Sequence, residues 1–208
     1  DYFNHLKFSK NFIPEICFSD ETDFKVLGLW DQEEIRETNF SPENSDILFV
    51  AGTDWHKLEL TSHDKPVVNL IQGFRHVDES HDIYKYLKNK AIRICVSKEV
   101  KIALENTGIV NGPIYCIENG IDLTSIPKRV DVPLFDFAIM GQKNPKMAKE
   151  IEALLLQEGA VVSIIVESVK REEFLKNMAL SQNVILLPQF KEGFYLPAVE
   201  AMAMGHIP

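Results

Sequence analysis

Cysteine is scarce in this chain of 208 residues: Cys17, Cys95 and Cys116 are the three present. They are odd in number and far apart, and no Cys-x-x-Cys occurs, so neither a disulfide framework nor a zinc site is indicated. Cys95 and Cys116 lie inside apolar runs and read as plain buried residues. No apolar run is long enough to span a bilayer, and no basic stretch followed by an apolar one opens the chain as a secretion signal would. Positive charge is the minority sign, with 22 Lys and Arg against 31 Asp and Glu, a formal charge of -9. That balance argues against general nucleic-acid binding. No Gly-x-Gly-x-x-Gly follows any strand, which disfavours a nicotinamide-dinucleotide enzyme. Asp-x-Asp, a common metal-binding pair, is also missing, as are internal repeats and low-complexity tracts.

What is present is an ordinary globular composition, 45% hydrophobic and 25% charged, and an alternation of strands and helices. Residues 1–8 have a short helical look. Ile16-Cys17-Phe18 suits a short strand. Residues 20–45 are acidic and mixed around the apolar island Val26-Leu27-Gly28-Leu29-Trp30, and read as loops. From Asp46 the pattern sharpens. Strands are expected at 47–51, 67–71, 91–96 and 114–117, with a helix over 84–90 and another capped by Ser97 and running to about Asn106. Residues 122–133 carry two prolines and little periodicity, as a linker would. A second α/β unit follows, with strands at 135–140, 161–166 and 184–187. Asn144 caps a helix with Pro145 at its first position. Met147, Ile151, Leu154 and Leu155 mark the apolar face of that helix. Lys170–Met178 is a further helix, with Phe174 and Met178 on one face. Continuous apolar strands between helices imply parallel sheets covered on both faces.

The last stretch carries the chemistry. Lys191-Glu192-Gly193-Phe194-Tyr195-Leu196-Pro197-Ala198-Val199-Glu200-Ala201-Met202-Ala203-Met204-Gly205 follows an apolar strand. Pro197 opens a helix and Gly205 stops it. Strand, tight loop and helix start present free N–H groups and a positive helix end to an anion. Glu192 falls in the loop, and Glu200, eight positions on, is expected in the first helical turn near the same mouth. Carboxylates beside an anion site suit a ligand with both phosphate and hydroxyls, because carboxylates accept hydrogen bonds from sugar hydroxyls. Three further constellations accompany it. Gln72-Gly73-Phe74-Arg75-His76 stands at the carboxyl end of a strand, where open α/β sheets bind ligands. Glu118-Asn119-Gly120-Ile121-Asp122 makes a turn before the linker. Gly141-Gln142-Lys143-Asn144-Pro145-Lys146 opens a helix. A loop His alone is an ordinary polar residue, and His56, His63 and His81 are read so.

The C-terminal stretch resembles the Glu-x7-Glu motif, usually Glu-Gly-Phe-Gly-Leu-Pro-x-x-Glu-Ala-Met-Ala-x-Gly, of retaining GT-B glycosyltransferases of family 4. Asn119-Gly120-Ile121-Asp122 is similar to the signature that ends their N-terminal domain. The resemblance implies two Rossmann-like parallel-sheet domains facing a cleft. An acceptor-side domain would take residues 1–121 and a linker 122–133. A nucleotide-sugar-binding domain would take 134–208, incomplete at its C-terminus, the chain being a truncated relative that lacks the usual early Gly-rich loop. The implied activity moves a sugar, with retention, from a nucleotide sugar to an acceptor hydroxyl on a glycan, lipid-linked or small molecule. No cofactor or metal is implied, since these enzymes meet the leaving diphosphate with basic side chains and a helix end. The implied location is cytoplasmic, compatible with peripheral membrane contact. Glu192 and His76 would take catalytic positions, His76 near the donor sugar. Glu200, Gly193, Phe194, Tyr195, Leu196, Gly141 and either Lys143 or Lys146 would hold the donor, Glu200 through the ribose. Two departures stand out. Gln142 replaces the family's Arg. Tyr195 replaces a Gly, so it is strained if that position needs positive φ and lines the pocket if it does not. A GT-B nucleotide-sugar epimerase or a non-catalytic nucleotide-binding fragment would share these features.

Overall fold

The computed structural model describes residues 2–17, 36–37, 41–59 and 63–207. Its contacts divide the chain into two units, Asp1–Asp46 and Ile47–Pro208. In the first, helix α1 (Tyr2–Phe8) precedes strand β1 (Ile16–Cys17), which pairs in parallel with β2 (Arg36–Glu37). The apolar island 26–30 and most of the expected loop over 20–45 lie outside the described residues. Within that span Arg36–Glu37 is a strand and Pro42–Asn44 a 3-10 turn rather than plain loop.

The second unit carries two parallel sheets. The first holds β3 (Leu48–Ala51), β4 (Val67–Ile71), β5 (Ile92–Cys95) and β6 (Ile114–Cys116), side by side in chain order. Helices α2 (Trp55–Glu59) and α3 (Lys98–Asn106) belong to its connections. Ser97 caps α3 as expected, its hydroxyl accepting from the Val100 amide at 3.3 Å. The second sheet has the order β8-β7-β9, from β7 (Phe135–Met140), β8 (Val162–Ile165) and β9 (Ser181–Leu186). Helices α4 (Pro145–Gln157), α5 (Arg171–Ala179) and α6 (Leu196–Ala203) complete it. Successive side chains of a strand point to opposite faces. Ala138 and Met140 accordingly join the core of α5 and α6, and Ile139 between them joins Ala148 of α4. The sheet is thus covered on both faces. No helix of the described residues is long and apolar enough to cross a membrane.

Three expectations about local structure are corrected. The helix expected over 84–90 is a 3-10 segment, Asp82–Lys88. The cause is Arg93, fully buried in an otherwise apolar strand. Its guanidinium donates to the carbonyls of Tyr86 (2.9 Å), Leu87 (3.2 Å) and Asn89 (2.6 Å) and to Asn69 Oδ1 (2.8 Å). Those carbonyls are drawn to the cation, and the segment closes on shorter turns, Asn89 donating to Tyr86. Arg93 also stands 5.3 Å from the Trp55 ring. A buried charge must be hydrogen-bonded, and here main-chain carbonyls do it in place of a carboxylate.

The second correction concerns α4. Met147 and Leu154 are exposed, and Ala148, Ile151 and Leu155 face the sheet. Gly141 sets that rotation: a Cβ there would stand 2.2 Å from the Ala148 Cβ, so the helix approaches the end of β7 on its alanine side. Third, Cys116 is only half-buried, whereas Cys95 is fully buried and its thiol pushed up to about 11, burial being the main cause.

Candidate active site

The β8-β7-β9 order places a switch point between β7 and β9. From β7 the chain crosses to one side for β8, then to the other for β9. The loops after β7 and β9 therefore diverge and leave a crevice at the carboxyl ends of the strands. Lys143 comes from the first of these loops and Glu192 from the second, and their side chains meet across it, Nζ to Oε1 at 3.6 Å. That oxygen is buried and makes no hydrogen bond within the described structure, so Lys143 meets it by charge and not by a hydrogen bond. Lys146, in the first turn of α4, is exposed, and it is Lys143 that faces Glu192. Gln142 is turned away, donating to the Glu167 carbonyl at 2.6 Å.

The loop carrying Glu192 also rests on the first sheet's β4 loop. Gly73 and Glu192 form an antiparallel backbone bridge, and the Phe74 amide donates to the Lys191 carbonyl at 3.2 Å. The approach depends on two glycines. A Cβ on Gly73 would lie 2.9 Å from the Lys191 oxygen, and one on Gly193 only 2.5 Å from the Gln72 oxygen. Lys191 adds an ion pair with Asp78. Hydrogen bonds from Lys191, then from the Ser80 hydroxyl and amide, hold the Asp78 carboxyl well below the usual carboxylate range. A depressed folded value means that the pair contributes above the ordinary value, 3.8, and is lost as pH falls through the lower folded one. We expect the Phe74 amide resonance to stay unchanged from pH 7 to about 4 and to move below it. Asp78→Asn should produce the low-pH position at pH 7, and salt should weaken the wild-type contact because Lys191 is exposed and Asp78 is only partly buried.

His76 lies in a short 3-10 turn, Phe74–Val77, in the loop after β4, and is buried. Burial, with Arg93, Arg75 and His81 adding positive field, lowers it to about 4. The ring is neutral near pH 7. Because the folded value is below the ordinary 6.5, stability from the neutral ring is complete above that pH and is lost as pH falls towards 4. The loss amounts to about 3 kcal/mol. Urea midpoints should fall across this window, and His76→Gln should flatten the fall. An unaltered slope in that variant would assign the pH dependence to other groups.

A cavity of about 160 Å³ opens beside His76 at the carboxyl ends of β3 and β4. Gly52 and Thr53 wall one side, Gln72, Gly73 and Arg75 another, and His81 closes it. His56 and His81 are not plain loop residues. His56 is on α2, 2.8 Å from the Tyr86 hydroxyl, and both imidazoles contact Asp82, at 3.1 and 2.9 Å.

The rest of the C-terminal stretch is partly as expected. Helix α6 begins at Leu196, with Pro197 in its first turn. Gly205 has φ +87, and the amides of Gly205 and His206 donate to Met202 and Ala201, the closing pattern of a glycine-terminated helix. Glu200 is beyond the first turn, a correction that follows from the Leu196 start. It is fully buried and ion-paired with Arg171 of α5. Tyr195 has φ -98, extended backbone any residue adopts, so Tyr in place of Gly brings no strain. Its hydroxyl is pushed up by burial, with the charges of Glu192 and Glu200 adding to the effect. Phe194 is half-buried and Leu196 more open. The turn expected at Asn119-Gly120 is irregular backbone instead, and Asp122 caps the 3-10 turn Leu123–Ser125 that follows, accepting from the Thr124 amide at 2.9 Å.

Sequence reasoning gave no role to Lys191, Asp78 or Arg171. Lys191 adjoins Glu192 and could have been noticed; Asp78 and Arg171 stand 113 and 29 positions from their partners, with no local signal.

No family model matches this sequence, and no sequence of a curated protein matches it. Among solved structures, sucrose-phosphate synthase from Thermosynechococcus elongatus resembles it with a TM-score of 0.53 over 77% of this chain, at 15% identity. The chain spans about half of that structure, 54%. At that identity the likeness speaks for the fold: two parallel sheets, of four and three strands, matching part of a GT-B glycosyltransferase.

Proposed function

We propose that the chain supplies the cleft of a retaining glycosyltransferase that moves a sugar from a nucleotide sugar to an acceptor hydroxyl. The observation that carries this reading is Glu192. Its carboxylate sits at the switch point of the second sheet, its backbone bridges to the His76 loop of the first, and Lys143 faces it at 3.6 Å. A donor in the crevice would place its diphosphate against Lys143 and the start of α6, where fixed positive groups stabilise charge that develops on the leaving group. Glu192 would contact the donor sugar. Glu200 would accept from the ribose hydroxyls, sharing its carboxylate with Arg171. His76, neutral, would hold a sugar hydroxyl. In this reading 1–121 is the acceptor side, 122–133 the linker and 134–208 the donor side.

A ligand that binds the native state raises the melting temperature by mass action. One of UDP, GDP, ADP or dTDP, alone or as a sugar conjugate, should do so, by about 2.7 kcal/mol of added stability at a hundredfold excess over Kd. No shift with any of them would remove the donor site from this chain. Release of the free nucleotide only when an acceptor is added would separate transfer from epimerisation.

A further inference from the structure

Each carboxylate of the C-terminal stretch meets one cation, and the two are met differently. Lys143 faces Glu192 at 3.6 Å, by charge, and 23% of the Glu192 side chain stays accessible. Glu200 is enclosed, with 2% of its side chain accessible, and its Oε1 accepts a hydrogen bond from Arg171 Nη1. Arg171 is the first residue of α5 and 55% of its side chain is accessible, so its guanidinium covers that oxygen from the solvent side. Glu200 Oε2 accepts from none of the described residues, yet it is not sealed off from solvent. One oxygen is therefore taken inside the fold and the other is open to a ligand. The core beneath fixes this arrangement. Leu175 and Met178 of α5 pack with Ala201 of α6, which keeps Arg171 and Glu200 within reach of each other.

From this geometry we infer that Arg171 determines specificity at the ribose: it withdraws Oε1 and leaves Glu200 one oxygen, so the site recognises a single ribose hydroxyl. A free carboxylate has two oxygens and can accept from two neighbouring hydroxyls, one on each. Here the second hydroxyl would have to displace Arg171 from Oε1. That would strip an enclosed carboxylate of its counter-charge, which is costly. The contact with Oε2 carries no such cost, because no protein group gives it up. Of the two ribose hydroxyls, one is therefore recognised and the other is dispensable. The ligand class is nucleoside diphosphates and their sugar conjugates, with ribose or with a ribose lacking that one hydroxyl. The inference rests on the proposed role of Glu200 as the ribose-binding group.

The test measures Kd by calorimetry for UDP, GDP and ADP, each beside its 2′-deoxy and 3′-deoxy forms. For the diphosphate that binds, removing one hydroxyl should change Kd by less than about threefold. Removing the other should weaken binding about tenfold or more, the loss of one hydrogen bond to a charged group. Arg171→Ala frees Oε1, so the tolerated removal should then cost about tenfold as well, with the other unchanged. An Arg171 that only supports the fold would weaken all three ligands alike in that variant and leave their ratios as in the wild type; that result overturns the inference. Should Arg171→Ala fail to fold because Glu200 is left unpaired, the wild-type ratios decide alone. Wild-type losses of tenfold or more from both removals, or from neither, overturn the inference. Binding with two costly hydroxyls leaves the transferase reading standing and removes only this one. Failure of every diphosphate to bind removes both.

Discussion

Replacing Glu192 by Ala should lower kcat by at least ~10²-fold, the loss typical of removing one preorganised group from a reacting centre. Stability should hardly change. The Lys143 ion pair is between partly exposed groups at 3.6 Å, and such pairs contribute about 0–1 kcal/mol. Nucleotide affinity should also persist, because Lys143 and the start of α6 remain. Glu192→Gln separates charge from shape: if the carboxylate's charge matters in the transition state, Gln should be nearly as slow as Ala. Rates are read under saturating donor, with melting temperature and nucleotide Kd measured on the same samples. Near-normal turnover in either variant would take Glu192 out of the mechanism. A loss that tracks nucleotide affinity would make it a binding group instead.

Gly193→Ala should be nearly as damaging, for a reason that involves no chemistry of its own. Its added Cβ would stand 2.5 Å from the Gln72 carbonyl oxygen and 2.9 Å from the Gly73 Cα, both backbone atoms. Neither can swing aside as a side chain would, so the loop after β9 must lift from the loop after β4. The bridge at Glu192 opens, and the carboxylate moves away from His76. Misplacement by about 1 Å costs on the order of 10² in rate when positioning is the main contribution. The strain itself should cost about 1–3 kcal/mol, as overpacking does. Gly120→Ala is the matching control, since a Cβ there meets nothing within 4 Å. If Gly193→Ala retains full turnover, contact between the two loops is dispensable, and the cleft works without the bridge.

The two variants differ in how visible their targets were. Glu192 lies in an ordered run of residues, and its loop-then-helix setting can be read from neighbours alone. Gly193 was assigned to the donor by resemblance. Its part in bringing Gln72 close could not be read, because the contact spans more than a hundred positions. Glu200 shows the same limit. Its place on a helix was legible from Pro197 and Gly205. Its burial and its pairing with Arg171 were not, since α5 and α6 are brought together by a packed core that includes Met178, Ala179 and Ala201. Lys143 and Lys146 were equivalent on spacing, and only the folded chain shows that Lys143 is the one facing Glu192. Helix α4 misled because its apolar residues outnumber those that one face can bury. Gly141 decided the face by admitting Ala148.

Local physics was enough for the elements that the sequence by itself determined. The apolar run of β4, interrupted only by Asn69, makes a buried parallel strand, Ser97 and Asn144 start helices, and Gly205 ends one, each within a few residues of its cause. The alternation of such elements determined the α/β class. The tertiary structure alone decided three things: the buried Arg93 that turned an expected helix into 3-10 turns, the neutral His76 under that cation's field, and the meeting of two loops at Gly73 and Gly193. All three depend on distant backbone groups brought within a few ångströms, where desolvation and steric exclusion act. Neither force leaves a periodic trace along the chain.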